Sequence, residues 1–237
     1  MKKVTFINPK GGVGKSTLAL LASITLASRF THSQVLMLDL DNQGTSSRSL
    51  KRFENNRLRI YGSSEFMGES GAPYKSTITS FVSEISSNED QFLVIDTPAG
   101  VSARDYPFLS VCDYIFVPTS CSDADLSATY EFLDQLDSDG LFVHTRTTQK
   151  PHVVLLPNQV ISKKDISEVR IEFDNFPALF GKPLPYSIQM RKAFKPDADD
   201  KALKELLKST RGYFDWMTTL IAGDLRLPEK IDRLYQL

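Results

Sequence analysis

Short runs of apolar residues recur along the first two thirds of the chain, and each is followed by a polar or glycine-rich stretch. Continuous apolar runs of this length are typical of strands in a parallel sheet, because helices cover both faces of such a sheet. We predict strands at residues 4–7, 34–40, 58–61, 92–95, 114–117 and 152–156.

The segments between these runs favour helices. Residues 16–30 are rich in Ala and Leu and apolar nearly all round, which predicts a buried helix. Ser122 or Asp123 is the predicted N-cap of a helix over residues 124–136. Residues 43–51 and 62–72 are polar and predict loops, the first running into a short helix. The other predicted helices cover residues 75–85, 164–173, 188–194, 199–222 and a last short one that Pro228 opens.

Strands that alternate with helices predict an α/β fold with a mostly parallel sheet and helices on both faces. The chain of 237 residues shows no internal repeat and no linker long enough to divide it. We therefore expect residues 1–237 to form a single domain, with a helical C-terminal portion from about residue 160.

Composition narrows the possible functions and the location. The net charge is −1 and the pI is about 6.3, so nucleic-acid binding would require a local basic patch. The two cysteines, Cys112 and Cys121, form no CxxC motif, which argues against a disulfide framework or a zinc site. The chain lacks a signal-peptide pattern and an apolar run of membrane-spanning length. We expect a cytoplasmic protein without stable membrane insertion.

Residues 8–17, NPKGGVGKST, lie between a predicted strand and a predicted helix, which is the setting of a phosphate-binding loop. Glycines let backbone N–H groups turn towards phosphate oxygens, and the N-terminus of the helix adds a positive dipole. Lys15 is expected to reach the β- and γ-phosphates, and the Ser16 hydroxyl to bind Mg²⁺. The predicted nucleotide-binding residues of the loop are Gly11, Gly12, Val13, Gly14, Lys15, Ser16 and Thr17.

This loop departs from the usual pattern G-x-x-x-x-G-K-[ST] at its start. Pro9 stands where the pattern has its first glycine, and Lys10 adds a second lysine. One lysine is enough to hold the terminal phosphates of a nucleotide. Lys10 therefore requires a role of its own.

Acidic residues end two of the predicted strands. Asp96, in FLVIDTPAG, is expected to hold Mg²⁺, mostly through water. Asp39 and Asp41, in LDLDNQG, lie close enough to repel each other unless a cation or polar partners satisfy them. We expect Asp41 to orient an attacking water and Asp39 to contact the magnesium waters. An acidic turn is the alternative interpretation of this pair.

Asn158 follows a predicted strand in the segment LLPNQ. Its amide can donate and accept hydrogen bonds at once, as recognition of an adenine edge requires. An Asx turn after Pro157 explains the same residue equally well.

The segments KGGVGKST, DLDNQG and VIDTPAG together resemble the deviant Walker A, switch I and Walker B motifs of the ParA/MinD family of P-loop ATPases. The resemblance is specific over residues 1 to about 160 and weaker beyond. It implies a Rossmann-like sheet, ATP with Mg²⁺ and a homodimer that encloses two nucleotides. It also implies that Lys10 reaches the phosphates of the other subunit, that Asp41 serves hydrolysis and that Asp96 is the Walker B acid. Asn42 replaces a proline that family members often have.

Three branches of this family compete. A ParA-type ATPase binds DNA non-specifically as an ATP dimer, partitions plasmid or chromosomal DNA or positions another cargo, and hydrolyses ATP when a ParB-like adaptor stimulates it. The small ParA type fits best, since no DNA-binding module fits before the first strand. This type would place the protein on the nucleoid of a prokaryote. The candidate DNA-binding residues, most of them on one face of the helix predicted at 199–222, are Lys192, Lys201, Lys204, Lys208 and Arg211.

A MinD-like membrane-cycling ATPase is the alternative, and it requires a C-terminal amphipathic helix. The segment LPEKIDRLYQL is short and balanced in charge, which disfavours that branch. An iron–sulfur reductase would require a cluster held by cysteines from two subunits. Cys112 and Cys121 flank a predicted strand instead of lying in an exposed glycine-rich loop, which disfavours this third branch.

Overall fold

The computed structural model describes residues 1–41, 51, 54–66, 75–85, 90–142, 151–193 and 200–223. Its strands are β1 (Lys2–Phe6), β2 (Gln34–Asp39), β3 (Leu58–Gly62), β4 (Gln91–Asp96), β5 (Tyr114–Thr119), β6 (His152–Val160), β7 (Leu179–Phe180) and β8 (Leu184–Pro185). Its α-helices are α1 (Lys15–Arg29), α2 (Lys75–Glu84), α3 (Asp123–Ser138), α4 (Lys163–Glu172), α5 (Ile188–Ala193), α6 (Asp200–Ser209) and α7 (Arg211–Ala222). Short 3₁₀ helices cover Ser63–Phe66, Ala103–Asp105 and Pro107–Val111.

The described strands form a parallel sheet in the order β3-β2-β4-β1-β5-β6-β7, and β8 pairs with β6. β1 therefore lies near the middle of the sheet, between β4 and β5. The predicted α/β class with a mostly parallel sheet is confirmed.

Each central strand contributes side chains to two apolar cores. In β2, Val35 and Met37 join the core built with α1 and α7, whereas Leu36 and Leu38 join the core built with α2 and α3. Successive side chains of a strand point to opposite faces of the sheet, so a strand covered on both faces must be apolar at every position. This double coverage explains why the sequence shows continuous apolar runs.

The helix predicted over residues 199–222 was wrong, because the structure has two helices there, α6 and α7, separated by Thr210. The hydroxyls of Ser209 and Thr210 both donate to the carbonyl of Leu206, at 2.9 and 2.8 Å. The same type of bond occurs within the continuous helices α1 and α7, so it does not by itself end a helix. The break lies at Thr210, whose φ of −101° and ψ of 5° depart from helical values.

The other predicted elements lie closer to the observed ones. Ser122 is the N-cap of α3, because its hydroxyl accepts a hydrogen bond from the backbone N–H of Asp125. The two-residue strands β7 and β8 lie between the helices predicted at 164–173 and 188–194, where no strand was predicted. A 3₁₀ helix interrupts the predicted loop 62–72. Predictions for residues 42–50, 67–72, 194, 199 and the helix opened by Pro228 fall outside the described residues.

We expect Phe116→Ala to lower the free energy of unfolding by about 3–5 kcal/mol, the usual cost of removing a buried phenyl ring. Phe116 is fully buried and its ring stacks on Phe6 at 5.0 Å and on Tyr114 at 5.8 Å between centroids. Urea denaturation measures the change. Ile171→Ala is the control, because Ile171 is 75% exposed and should cost less than about 0.5 kcal/mol. Equal losses in the two variants would contradict the described core.

Candidate functional site

The carboxyl ends of the parallel strands meet at one edge of the sheet, where α/β proteins place their ligands. The glycine-rich loop leaves the end of β1 at the centre of this edge, because β1 lies between β4 and β5. β2 and β4 end in register at Asp39 and Asp96. The topology therefore gathers the predicted loop and both strand-end acids into one place.

The loop has the backbone shape that its glycines permit. Gly12 and Gly14 have φ angles of 82° and 99°, in the left-handed region that favours glycine. Gly14 is the N-cap of α1, and a Cβ atom there would overlap the side-chain amide of Asn158. A side chain at Gly14 would thus be strained in its backbone and would collide with β6.

A cavity of about 280 Å³ lies inside this loop. The free N–H groups at the start of α1, the Lys15 ammonium and the hydroxyls of Ser16 and Thr17 make the cavity suited to an anion such as phosphate. The residues that line it are Gly11, Gly12, Gly14, Lys15, Ser16, Thr17, Asp41, Thr97 and Ala99.

Lys15 is buried, and its Nζ donates to the carbonyl of Lys10 at 2.8 Å. Burial lowers the pKa of Lys15 from its usual value, while the negative charges of Asp96 and Asp41 act in the opposite direction. Phosphate oxygens in the cavity would add further negative charge and favour the ammonium form.

The three acids occupy different positions at this edge. Asp39 and Asp96 are fully buried, and the backbone N–H of Asp41 donates to the Asp39 carboxylate at 3.1 Å. Asp41 is only half-buried and lines the cavity. Among the described residues no group of three or more His, Cys, Asp or Glu side chains could hold a metal ion on its own. A cation here would thus depend on phosphate and water oxygens as well.

The Lys10 side chain points away from the cavity that Lys15 lines, towards Asp125. Its Nζ lies 3.8 Å from the Asp125 carboxylate, its side chain is 40% exposed, and it is not part of the described lining of the cavity. Its backbone N–H donates to Asn8 Oδ1 at 2.8 Å, and Asn8 in turn donates to the carbonyl of Pro118 and the hydroxyl of Thr129. One loop therefore presents one lysine inwards and one outwards.

A second cavity, of about 200 Å³, adjoins the loop on the side of β6. Asn158 is buried there, and its Nδ2 donates to the carbonyl of Val13 at 2.8 Å. Its Oδ1 has no hydrogen-bond partner among the described residues. A buried acceptor without a partner is costly, so this oxygen fits a ligand that donates, such as an exocyclic amino group. The cavity is lined by Gly12, Gly14, Thr17, Asn158, Gln159, Pro185, Tyr186, Ser187 and Met190.

The predicted DNA-binding residues are not part of the described lining of either cavity. Lys201, Lys204 and Lys208 are exposed along α6, whose Leu203 and Leu206 are buried. Arg211 belongs to α7, so the predicted single row of four cations on one helix is wrong at its last member. Arg211 pairs with Asp215 at 3.4 Å. Lys192 lies in α5, and its side chain is outside what the structure describes.

Sequence reasoning missed three residues that shape the site, namely Asn8, Asp125 and Gln159. Each acts through contacts between distant parts of the chain, such as the bond from Gln159 to the carbonyl of Gly12. No motif spacing shows such contacts.

The cysteines have the properties of structural residues. Burial raises the pKa of the Cys112 thiol far above its usual value, and burial together with Asp165 and Glu168 raises the pKa of Cys121 to about 11. Cys112 is buried, so its thiol is not placed to share a cluster with a second subunit. In the part of the chain that the structure describes, no helix is both long and apolar enough to cross a membrane.

Solved structures with the same architecture include McdA, MinD and ParA proteins. An ATP complex of a McdA variant from Cyanothece matches with a TM-score of 0.66 and 15% identity over 96% of this chain and 98% of that one. The septum site-determining protein MinD of Pyrococcus horikoshii, solved with Mg-ADP, matches with a TM-score of 0.61 and 15% identity over 95% and 99% of the two chains. pNOB8 ParA bound to nonspecific DNA matches with a TM-score of 0.63 and 16% identity over 94% and 97%.

The family assignment comes from sequence comparison and does not depend on these structural similarities. A search of curated proteins found no match. The family profile described as CbiA, the CobQ/CobB/MinD/ParA nucleotide binding domain, matches residues 4–215, which is most of the chain. The chain therefore belongs to the CobQ/CobB/MinD/ParA nucleotide-binding family, as its three sequence motifs indicate.

Proposed function

We propose that this protein is a Mg²⁺-dependent ATPase of the ParA type, which forms an ATP-enclosing homodimer, binds DNA non-specifically and partitions DNA or positions another cargo. One observation carries this proposal: Lys15 lines the phosphate cavity, whereas Lys10 of the same loop is directed out of it. A protein that used its nucleotide alone would have no need of the second lysine. On this proposal the protein works in the cytoplasm of a prokaryote, on the nucleoid.

The residues present fit ATP. The amides of the loop and the Lys15 ammonium suit the phosphates, and Asn158 Oδ1 suits the amino group of adenine. Ser16 would hold Mg²⁺ directly, with Asp39 and Asp96 beside the bound waters. The magnesium ion would neutralise charge on the β- and γ-phosphates. Relatives solved with ATP and with Mg-ADP support this assignment.

Asp41 is the residue best placed to orient an attacking water. It is the carboxylate that lines the described phosphate cavity, whereas Asp39 and Asp96 are fully buried behind it. Hydrolysis should be slow in the isolated protein, as suits a switch, and a ParB-like or other cargo adaptor would accelerate it. The adaptor rests on family resemblance alone.

The DNA-binding surface would be the exposed face of α6 that carries Lys201, Lys204 and Lys208. These residues recur at three- and four-residue spacing, so they lie side by side on the helix. Contacts to DNA phosphates from such a face would be strongest at low salt. The solved complex of pNOB8 ParA with nonspecific DNA supports DNA binding as such, whereas the choice of α6 rests on its exposed lysines.

We expect Lys15→Ala to weaken ATP binding by about a hundredfold or more, because charge-assisted hydrogen bonds to two phosphates are lost. Isothermal titration with ATP and Mg²⁺ measures the change. Lys164→Ala is the matched control, since Lys164 is 83% exposed on α4 and pairs with Glu168. Unchanged ATP affinity in Lys15→Ala, with normal thermal stability, would contradict the phosphate site.

We expect Lys10→Ala to bind ATP but to remain a monomer, because the proposed contact is with the phosphates of the other subunit. Analytical ultracentrifugation with ATP measures the oligomer, and phosphate release measures turnover. Asp41→Ala serves as the comparison: it should dimerise with ATP and hydrolyse at least about tenfold more slowly. An ATP dimer of normal stability in Lys10→Ala would refute the role of Lys10 between subunits.

We expect ATP, but not ADP, to cause retention on random-sequence DNA, with an affinity that falls steeply as salt rises. Replacing Lys201, Lys204 and Lys208 together by Glu should remove most of this retention and reduce the salt slope by about two to three. The same change at Lys163 and Lys164, also exposed, is the control. ATP-dependent binding to anionic liposomes in place of DNA would instead favour the MinD-like alternative.

A further inference from the structure

Gln159 is the one non-glycine residue with a positive φ angle, 59°, in the described part of the chain. The left-handed conformation is unfavourable for a residue with a Cβ atom, and it persists only where the surrounding structure enforces it. Such residues cluster at functional sites. The position of Gln159, beside the phosphate loop, therefore calls for an explanation.

The unusual backbone changes the direction of one side chain. Successive side chains of a regular strand point to opposite faces, so Asn158 and Gln159 should diverge at the end of β6. The pairing of β6 with β8 shifts register between Asn158 and Val160, which marks a β-bulge. Bulges next to binding sites redirect side chains. Here both side chains reach the same loop.

The two side chains hold neighbouring peptide groups of that loop. Gln159 Nε2 donates to the carbonyl of Gly12 at 2.6 Å, and Asn158 Nδ2 donates to the carbonyl of Val13 at 2.8 Å. Two consecutive residues of β6 thus bind two consecutive carbonyls of the loop. Gly12 has a positive φ angle and no side chain, so little else restrains the orientation of its peptide group.

Because the peptide bond is planar, these contacts also determine where the N–H groups on the opposite side of the loop point. In a trans peptide the C=O and the following N–H point in opposite directions. A Gly12 carbonyl held towards β6 directs the N–H of Val13 away from β6, and the Val13 carbonyl does the same for the N–H of Gly14. The phosphate cavity lies on that side, because its lining includes Asp41, Thr97 and Ala99, which follow β2 and β4.

We propose that Gln159 is a positioning residue that, together with Asn158, orients the backbone N–H groups of Val13 and Gly14 for phosphate before the nucleotide binds. The inference rests on the proposed function of the loop as an ATP site. Gln159 is not part of the described lining of the phosphate cavity and would act through the loop. Its effect is that the loop does not have to reorient two peptide groups when the nucleotide enters.

Two substitutions separate this role from a purely structural one. Gln159→Gly removes the hydrogen bond and also relieves the backbone strain, so the protein should be at least as stable as the wild type. Gln159→Ala removes the hydrogen bond and keeps the strain. If Gln159 serves only to make the turn, Gln159→Gly should bind ATP normally. If it orients the loop, both variants should bind ATP and ADP about five- to tenfold more weakly.

Affinities for ATP, ADP and AMP, measured by competition with a fluorescent nucleotide, provide the first readout. AMP lacks the β- and γ-phosphates and should lose less than about twofold. Gln189→Ala is the matched control, because Gln189 is an exposed glutamine of α5. Wild-type ATP affinity in Gln159→Gly would overturn the inference.

Backbone ¹⁵N relaxation of the nucleotide-free protein provides the second readout and does not depend on ATP binding. The order parameters of the Val13 and Gly14 amides should fall in Gln159→Gly, while those of β1 remain unchanged. Equal order parameters in wild type and variant would also overturn the inference. A wild-type protein that binds no ATP would refute the proposed function, and the relaxation result would still decide whether Gln159 holds the loop.

Discussion

The site depends on the buried side chain of Asn8. Its Nδ2 donates to the Pro118 carbonyl and the Thr129 hydroxyl, and its Oδ1 accepts from the backbone N–H of Lys10. The amide thereby ties the end of β1 to β5 and α3 at the residue where the loop begins. Each buried group left without a partner would cost about 1–3 kcal/mol, so this one amide strongly determines where the loop starts and which way it turns.

Further contacts determine the shape of the loop from its other sides. Gly100 donates its N–H to the Pro9 carbonyl at 2.7 Å, which joins the loop to the segment after β4. Asn158 and Gln159 hold its far side from the end of β6. The loop is thus fixed by three strands that are distant in sequence, while the Lys15 ammonium, bound to a loop carbonyl, stays within reach of an anion. The loop is therefore preformed, and a bound anion would supply the negative charge that pairs with the Lys15 ammonium.

The strands, their parallel order and the phosphate loop could be predicted from the sequence, because the signals for them are local. Apolar runs covered on both faces reveal the strands, and the parallel order follows from the alternation with helices. The spacing of GGVGKST between strand and helix identifies the loop before any contact is known. The break at Thr210 was missed because helical periodicity continues across it, and the break lies in the backbone conformation of one residue. The roles of Asp125 and Gln159 were missed because they arise from long-range contacts and from one backbone angle.

The ion pair between Lys10 and Asp125 gives the nucleotide-free chain an internal anion for its outward lysine. Half-exposed pairs at 3.8 Å contribute about 0.2–1 kcal/mol, whereas a charge-assisted hydrogen bond to a phosphate contributes about 1.5–3 kcal/mol. In the proposed dimer, a phosphate of the other subunit's nucleotide would replace the Asp125 carboxylate as the anion bound to Lys10. The lysine would therefore have a counterion in both states. Asp125 would thus slightly stabilise the monomer between rounds of nucleotide binding, and the stronger bond to phosphate would outweigh this once ATP is present.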